Sequence, residues 1–393
     1  MLRICEVAYT NYISDPRVRR EAEALAEQGH QVDMISCASK DLESGKIIRN
    51  VRNLPSLIKK YNGHNPFFYF CSYLLFFIHV GIKVAFLHMR YRYHLIHVHT
   101  MPDFLVFTAL FPKLFGAKVI LDMHDMVPEL YISKFGINKD NFIIRVLTWI
   151  ESRSVALAHL CLSVHIPHRD LTVSHGNPIE KFSVLMNVPD PAIFNVKSEL
   201  LIERDDKFRL IYHGTISRRH GLDTAIKAVD IVRKSIPEIE LCIIGPGDDI
   251  ERLKELVTSL DLSEYITFSS GALRLEEIPE KILQSDIGII TISNDIFTRY
   301  MLPVKLMEYV KMGIPVITSR TSTIEHYFNE EMVAYIEAGN HEQMAVKIVD
   351  LYNHPKKRKN MIQAANQFND NYNWESQKIH FLDLVNNLAN SRR

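Results

Sequence analysis

Apolar positions along the chain follow two alternating rhythms: short continuous apolar runs bounded by Gly, Pro, Asn or Asp, and longer stretches of helical period. RICEVAY (3–9) predicts a strand, 16–28 a helix ended by Gly29, and QVDMIS (31–36) the next strand. HLIHVHT (94–100), KVILDMHD (118–125), HLCLSVH (159–165) and FSVLMNV (182–188) continue the series, with helical patterns at 104–116 and 141–158. The alternation restarts with FRLIYHG (208–214), IELCIIGPG (239–247), YITFSSG (265–271), IGIITI (287–292), PVITS (315–319) and VAYIEAG (333–339). Helical patterns at 222–236, 250–260, 276–286, 302–310 and 341–354 separate these runs. Continuous apolar strands divided by helices indicate parallel sheets covered on both faces. The predicted fold is α/β, two tandem Rossmann-like doubly wound domains facing a cleft, with ligand at the carboxyl ends of the strands. The expected divisions are 1–190, an aperiodic linker 191–207, 208–370, and 371–393, whose amphipathic helix (374–389) crosses back toward the first domain.

Composition narrows the function. With 47% hydrophobic and 23% charged residues over 393 positions, the chain is globular and long enough for two cores. Its 46 cations balance its 46 anions, so no global field recruits nucleic acid. Five cysteines without C-x-x-C spacing suit a reducing compartment. The first residues read directly as a strand with no leader pattern, so the expected location is cytoplasmic. One region breaks the pattern. Residues 66–89 are densely apolar but interrupted by His79, Lys83 and His88, which predicts a buried or interfacial helix rather than a span. RYRY (90–93) follows it, and two readings stay open: peripheral contact of 66–93 with the inner face of a membrane, or a core helix with a charged end.

Three stretches carry candidate chemistry. In YHGTISRRHGLD (212–223), a strand ends at Gly214 and a loop with Thr215, Arg218 and Arg219 enters a helix through Gly221. Glycines and a helix start suit a phosphate, and the arginines can pair with its oxygens; an ordinary β–α turn with solvated arginines reads equally from the pattern. CIIGPGDD (242–249) repeats the theme at Gly245. In LPVKLMEYVKMGIPVITS (302–319), Glu308 stands in a largely apolar helix with Lys305 three residues earlier on the same face. A carboxylate there can accept from both hydroxyls of a ribose, or simply pair with Lys305 at the surface.

The ordered set of stretches resembles the retaining GT-B glycosyltransferases of family 4, also called group 1. The likeness runs through YHGTISRRHGLD, LCIIGPGDDIERLKEL, ITFSSGAL, LPVKLMEYVKMGIPVITS and FNDNYNWESQKI, and in the first half through SDPRVRREAEALAEQGHQV, LIHVHT and ILDMHDMVPE. It implies transfer of a sugar from a nucleoside-diphosphate sugar to a glycan or lipid-linked glycan hydroxyl. By this resemblance Glu308 holds the ribose, while Gly214, Thr215, Gly245, Lys305 and Arg218 or Arg219 surround the diphosphate. The backbone of Ser270, Gly271 and Ala272 borders the base, and His124 contacts the donor sugar and supports the transition state. Asp15 and Arg17 are placed near the acceptor, although Asp15 before Pro16 also reads as a helix cap. The chain departs from the family pattern at Tyr300, where a second glutamate is usual and sugar hydroxyls are read. It departs again at Thr215 and His220, where arginine and lysine are usual. No cofactor or metal is expected, because cations can neutralise the diphosphate and no Asp-x-Asp occurs in the sequence.

Three rival functions remain open at this level. His97 and His99 share a strand face and His124-Asp125 end a later strand, which resembles the start of a hydrolase metal cluster. A GT-B sugar-nucleotide 2-epimerase would share donor and architecture. A non-catalytic partner of the same fold would explain Tyr300 and the altered first loop.

Overall fold

The computed structural model describes residues 1–39, 43–61, 63, 65–195, 205–269, 271 and 273–390. It divides into two compact units, residues 1–187 with 375–393, and residues 188–374. Each is a Rossmann-like α/β unit.

The first unit is built on eight strands: β1 (Arg3–Ala8), β2 (Gln31–Ile35), β3 (Ile47–Ile48), β4 (Val51–Asn53), β5 (Leu95–His99), β6 (Lys118–Met123), β7 (Leu160–Ser163) and β8 (Phe182–Val184). Their order is β3-β4-β2-β1-β5-β6-β7-β8, parallel throughout except for the β3–β4 pair. Asp15 caps the helix Pro16–Glu27 by accepting from Val18 N, and the ring of Pro16 fits the first helical turn. One sheet face packs Val18, Ala22 and Leu25 of that helix together with Phe381 and Val385 of the last helix, Trp374–Asn390. The other face packs Phe76, Val80 and Val84 of the helix Pro66–Tyr91, Leu105 and Val155. Two expectations change here. The helix predicted over 104–116 is a tight 3₁₀ segment, Asp103–Ala109, running into a short α-turn, Leu110–Leu114. The apolar segment 66–89 is not a core helix: only a stripe of its residues is buried, and its outer side is exposed.

The second unit holds β9 (Phe208–His213), β10 (Ile239–Ile244), β11 (Ile266–Phe268), β12 (Ile287–Ile290), β13 (Val316–Ser319) and β14 (Ala334–Ile336). All are parallel, in the order β11-β10-β9-β12-β13-β14. The order reverses between β9 and β12, so the loops after β9 and β12 diverge and leave room for a ligand at the strand ends. Leu222, Ile226 and Val229 of the helix Leu222–Val232 pack against Leu210, Tyr212, Leu241 and Ile243. That helix stops four residues short of the predicted 236, and the helix Pro355–Asn371 is an addition to the sequence reading.

Candidate functional site

In the second unit the loops after β9 and β10 are joined backbone to backbone. Gly214 N donates to Ile244 O (2.8 Å), and Ile216 N to Pro246 O (2.8 Å). Gly214 and Gly245 have φ of +104° and +133°, and a Cβ on Gly245 would lie 2.2 Å from Gly214 O. Glycine at 245 is therefore demanded by a close approach of two chains in a conformation that L side chains rarely adopt. The Arg218–His220 turn leads through Gly221 into the helix Leu222–Val232. It is pinned to the chain after β12: Ser293 N donates to Arg219 O (2.9 Å) and Thr291 Oγ1 to His220 O (2.8 Å).

The two arginines of this turn are not equivalent. Arg218 points outward, its side chain 83% exposed and its Nε 3.8 Å from Asp249. Arg219 is half-buried beside the Phe297 ring, and its Nε is buried with no partner among the described residues. His220 supplies no charge; burial, helped by Lys305 and Arg219, pushes it down to about 3. Thr215 is exposed, and its carbonyl accepts from Tyr212 Oη (2.6 Å).

Lys305 stands in the first turn of the helix Val304–Lys311. Its Nζ donates to Tyr212 Oη (2.7 Å), lies 3.9 Å above the Tyr212 ring, and rests against Gly214. Burial lowers Lys305 to about 7; Glu308 opposes that shift and Arg219 adds to it. Glu308, one turn on, is 8% exposed and is no surface ion pair with Lys305. Its Oε2 accepts from His213 Nε2 at 2.6 Å, which leaves Oε1 without a partner among the described residues. His213 is held in turn by Tyr309, whose hydroxyl meets its Nδ1 (3.0 Å) and its backbone N (3.2 Å) and donates to Ile211 O (3.1 Å). Gly288 makes space for this arrangement, since a Cβ there would sit 2.4 Å from the Tyr309 ring. The sequence reading missed His213, Tyr309 and Gly288; a histidine ending a buried strand and a glycine inside another were the available signals.

Gly271 (φ +151°) is tied to the same loops, because Ser269 Oγ donates to Gly271 O (2.6 Å) and accepts from Gly245 N (3.0 Å). Ser270 and Ala272 lie outside the described residues. Tyr300 closes the turn Thr298–Tyr300, with the Arg299 guanidinium 5.8 Å above its ring. A cavity of about 700 Å³ opens in this unit along Ile211, Cys242, Ile244, Thr267 and Ser269, but Lys305, Glu308 and Arg219 do not line it.

The first unit gathers a buried ionic network at the ends of β1, β5 and β6. Arg17 was expected near an acceptor; it is turned inward instead. Its guanidinium donates twice to Asp122 (2.8 and 2.7 Å) and once to Leu185 O (3.0 Å). A buried carboxylate needs such a partner, and two parallel bonds satisfy it. Asp15 is the helix cap described above. Asp122 also meets His99 Nδ1 (3.1 Å) and His124 Nε2 (2.6 Å), while Glu6 meets His97 Nδ1 (3.1 Å) and His99 Nε2 (2.6 Å). Burial opposes charge on His99, but the hydrogen bonds it donates to Asp122 and Glu6 outweigh it and raise the imidazole to about 10. Burial likewise opposes ionisation of Glu6, and His97 with His99 reverses that to about 2. His124 is half-buried, and its Nε2 meets Asp122 while Nδ1 has no hydrogen-bond partner among the described residues.

The structure gathers part of the expected metal cluster. His97 and His99 do gather with carboxylates, and donor atoms of Glu21, His97, His99 and Asp122 lie within 4.8 Å of one another. Asp125 is not in the group, Arg17 already neutralises Asp122, and both nitrogens of His99 are taken by carboxylates. These donors are paired with one another as an internal ion network.

Two family profiles match the chain in succession. Glycosyltransferase Family 4 matches residues 17–192 and Glycosyl transferases group 1 matches residues 196–368. The chain belongs to the group 1 glycosyltransferases. Their GT-B fold is also that of the solved structures it resembles. Sucrose-phosphate synthase from Thermosynechococcus elongatus superposes with a TM-score of 0.78 at 16% identity, over 99% of both chains. Anabaena Alr3699/HepE in complex with UDP-glucose superposes with a TM-score of 0.74 at 13% identity, over 98% of this chain and all of that one. In sequence, the amylovoran biosynthesis glycosyltransferase AmsK of Erwinia amylovora is 26% identical over 165 residues, 42% of this chain and 40% of its own length. The chain spans under half the length of the curated relatives of this glycosyltransferase family matched first.

Proposed function

We propose that this chain is a retaining glycosyltransferase that moves a sugar from a nucleoside-diphosphate sugar to an acceptor hydroxyl in the synthesis of a cell-surface or lipid-linked glycan. One observation carries the reading: a buried glutamate, Glu308, has one oxygen locked on His213 and the other without a partner among the described residues, with Lys305 and Arg219 nearby. A carboxylate in that state suits the paired hydroxyls of a ribose, and the cations suit the adjoining diphosphate. Arg219 is preferred over Arg218, because its guanidinium is already partly desolvated and under-bonded.

As the sugar–phosphate bond breaks, Lys305 and Arg219 stabilise charge on the leaving diphosphate. The donor phosphate oxygen, on the same face as the incoming hydroxyl, takes the acceptor proton, so the anomeric configuration is retained. In the first unit, Asp122 fixes the orientation of the His124 ring, which suits the family-implied role of that histidine as a contact for a sugar hydroxyl. No divalent metal is required where the two cations supply the neutralising charge. The test is thermal unfolding of the full chain with UDP, GDP, ADP and their sugar conjugates, with and without chelator. Ligand at 100 times its dissociation constant adds about 2.7 kcal/mol. A shift with one nucleotide, insensitive to chelator and lost in Glu308→Ala, is the expected result. Absence of any nucleotide response overturns the reading.

A further inference from the structure

The outer side of the helix Pro66–Tyr91 plays no part in the site. Its core-facing stripe is narrow: Phe76, Val80, Val84 and His88, four residues apart, are buried. On the other side Phe67, Phe70, Leu75, Ile78, Ile82 and Phe86 are each half to about two-thirds exposed. Soluble surfaces scatter such residues singly; a contiguous array marks an interaction face. On the same side of the sheet the helix Phe142–Leu157 also exposes Phe142, Ile143 and Trp149.

Charge and geometry identify the partner. Residues 66–91 contain no Asp or Glu, and Arg90 and Arg92 at the helix end are exposed. On Phe142–Leu157 the exposed charges are Arg145 and Arg153, while its single carboxylate, Glu151, is buried on His175 and Asn177. Exposed Phe, Leu, Ile and Trp on two helices whose own exposed charges are arginines match the boundary between acyl chains and anionic headgroups. A second copy of the chain fits less well, because a two-fold contact would bring the same arginines together.

By length and composition Phe67–Tyr91 could cross a bilayer. Crossing would pull Phe76, Val80 and Val84 out of the sheet core. It would also break the bonds from Lys83 Nζ to Leu54 O (2.8 Å) and Pro55 O (2.7 Å). We propose that this face is a monotopic membrane-binding surface, on which the outer sides of Pro66–Tyr91 and Phe142–Leu157 seat in the interface of an anionic bilayer without spanning it.

The test is flotation of the full chain with vesicles of phosphatidylcholine alone and of phosphatidylcholine mixed with phosphatidylglycerol. The chain is expected to float with the anionic vesicles and to bind the zwitterionic ones roughly tenfold or more weakly. The variant Phe70→Ser/Ile82→Ser/Phe86→Ser, its thermal unfolding unchanged, loses flotation; Arg90→Glu/Arg153→Glu weakens it and flattens its dependence on salt. Failure of the wild-type chain to float, or equal flotation of the serine variant, overturns the proposal. So does concentration-dependent self-association without vesicle binding that the serine variant relieves, which assigns the face to a second copy.

Discussion

Lys305 and Glu308 sit one helical turn apart yet are kept apart by different partners, Tyr212 and His213. This decides how each behaves. Lys305 is lowered to about 7, so it must take up or hold a proton to bind a diphosphate. The sign follows directly: the free protein loses the Lys305 charge as pH rises through 7, whereas bound diphosphate restores it. Nucleotide affinity is therefore expected to fall by up to about tenfold per pH unit above 7. Lys305→Arg, charged throughout, should flatten that slope in calorimetric titrations. Between the two arginines, Arg219→Ala should weaken nucleotide binding by about tenfold or more, the value of one charged hydrogen bond. Arg218→Ala, a solvated side chain, should change it by less than about threefold. Equal losses would remove the distinction drawn from burial.

At the scale of elements, the loops after β9 and β10 act as one piece because glycine lets them touch. Gly245→Ala drives a Cβ into Gly214 O, and relief requires moving backbone. The expected loss is about 2 kcal/mol or more, with nucleotide binding lost too, read by denaturant unfolding and by titration. The ends of β1, β5 and β6 form a second element-level device. His99 is raised to about 10, so its contribution is complete below 6.5 and fades as pH rises toward 10. Glu6 is lowered to about 2, so its contribution is complete above 4.5 and fades as pH falls toward 2. The first unit is thus expected to be most stable between about pH 4.5 and 6.5. His99→Gln should remove the alkaline limb of a melting-temperature profile; an unchanged profile would sink this assignment.

For the whole molecule, chain order and packing differ at one place. The last helix is fully buried at Phe381 and Val385 within the first unit's core, although the second unit precedes it in sequence. Removing residues 374–393 uncovers that core. It should lower the melting of the first unit by several degrees or prevent its folding, while the second unit melts nearly unchanged. Scanning calorimetry with one variant confined to each unit assigns the transitions. Phe381→Ala, at about 3–5 kcal/mol, is the milder form of the same experiment.

Local periodicity was enough to read the β–α alternation, the two sheets and their restart near 208, since strand and helix patterns depend on neighbours within a few residues. It also located Glu308 and Lys305, because a carboxylate in an apolar helix is anomalous on its own line of sequence. Boundaries near Pro112 and Pro237, and the role of Gly245, depended on contacts that periodicity does not encode. Three decisions belong to tertiary structure alone. Glu308 pairs with His213 across 95 residues, and Arg17 turns inward to Asp122 across 105. The apolar helix at 66–91 shows its outer side because few other elements cover it. Which residue neutralises a charge, and which face of a helix is covered, are settled by groups distant along the chain, and only the folded sheet brings them within hydrogen-bonding or van der Waals reach.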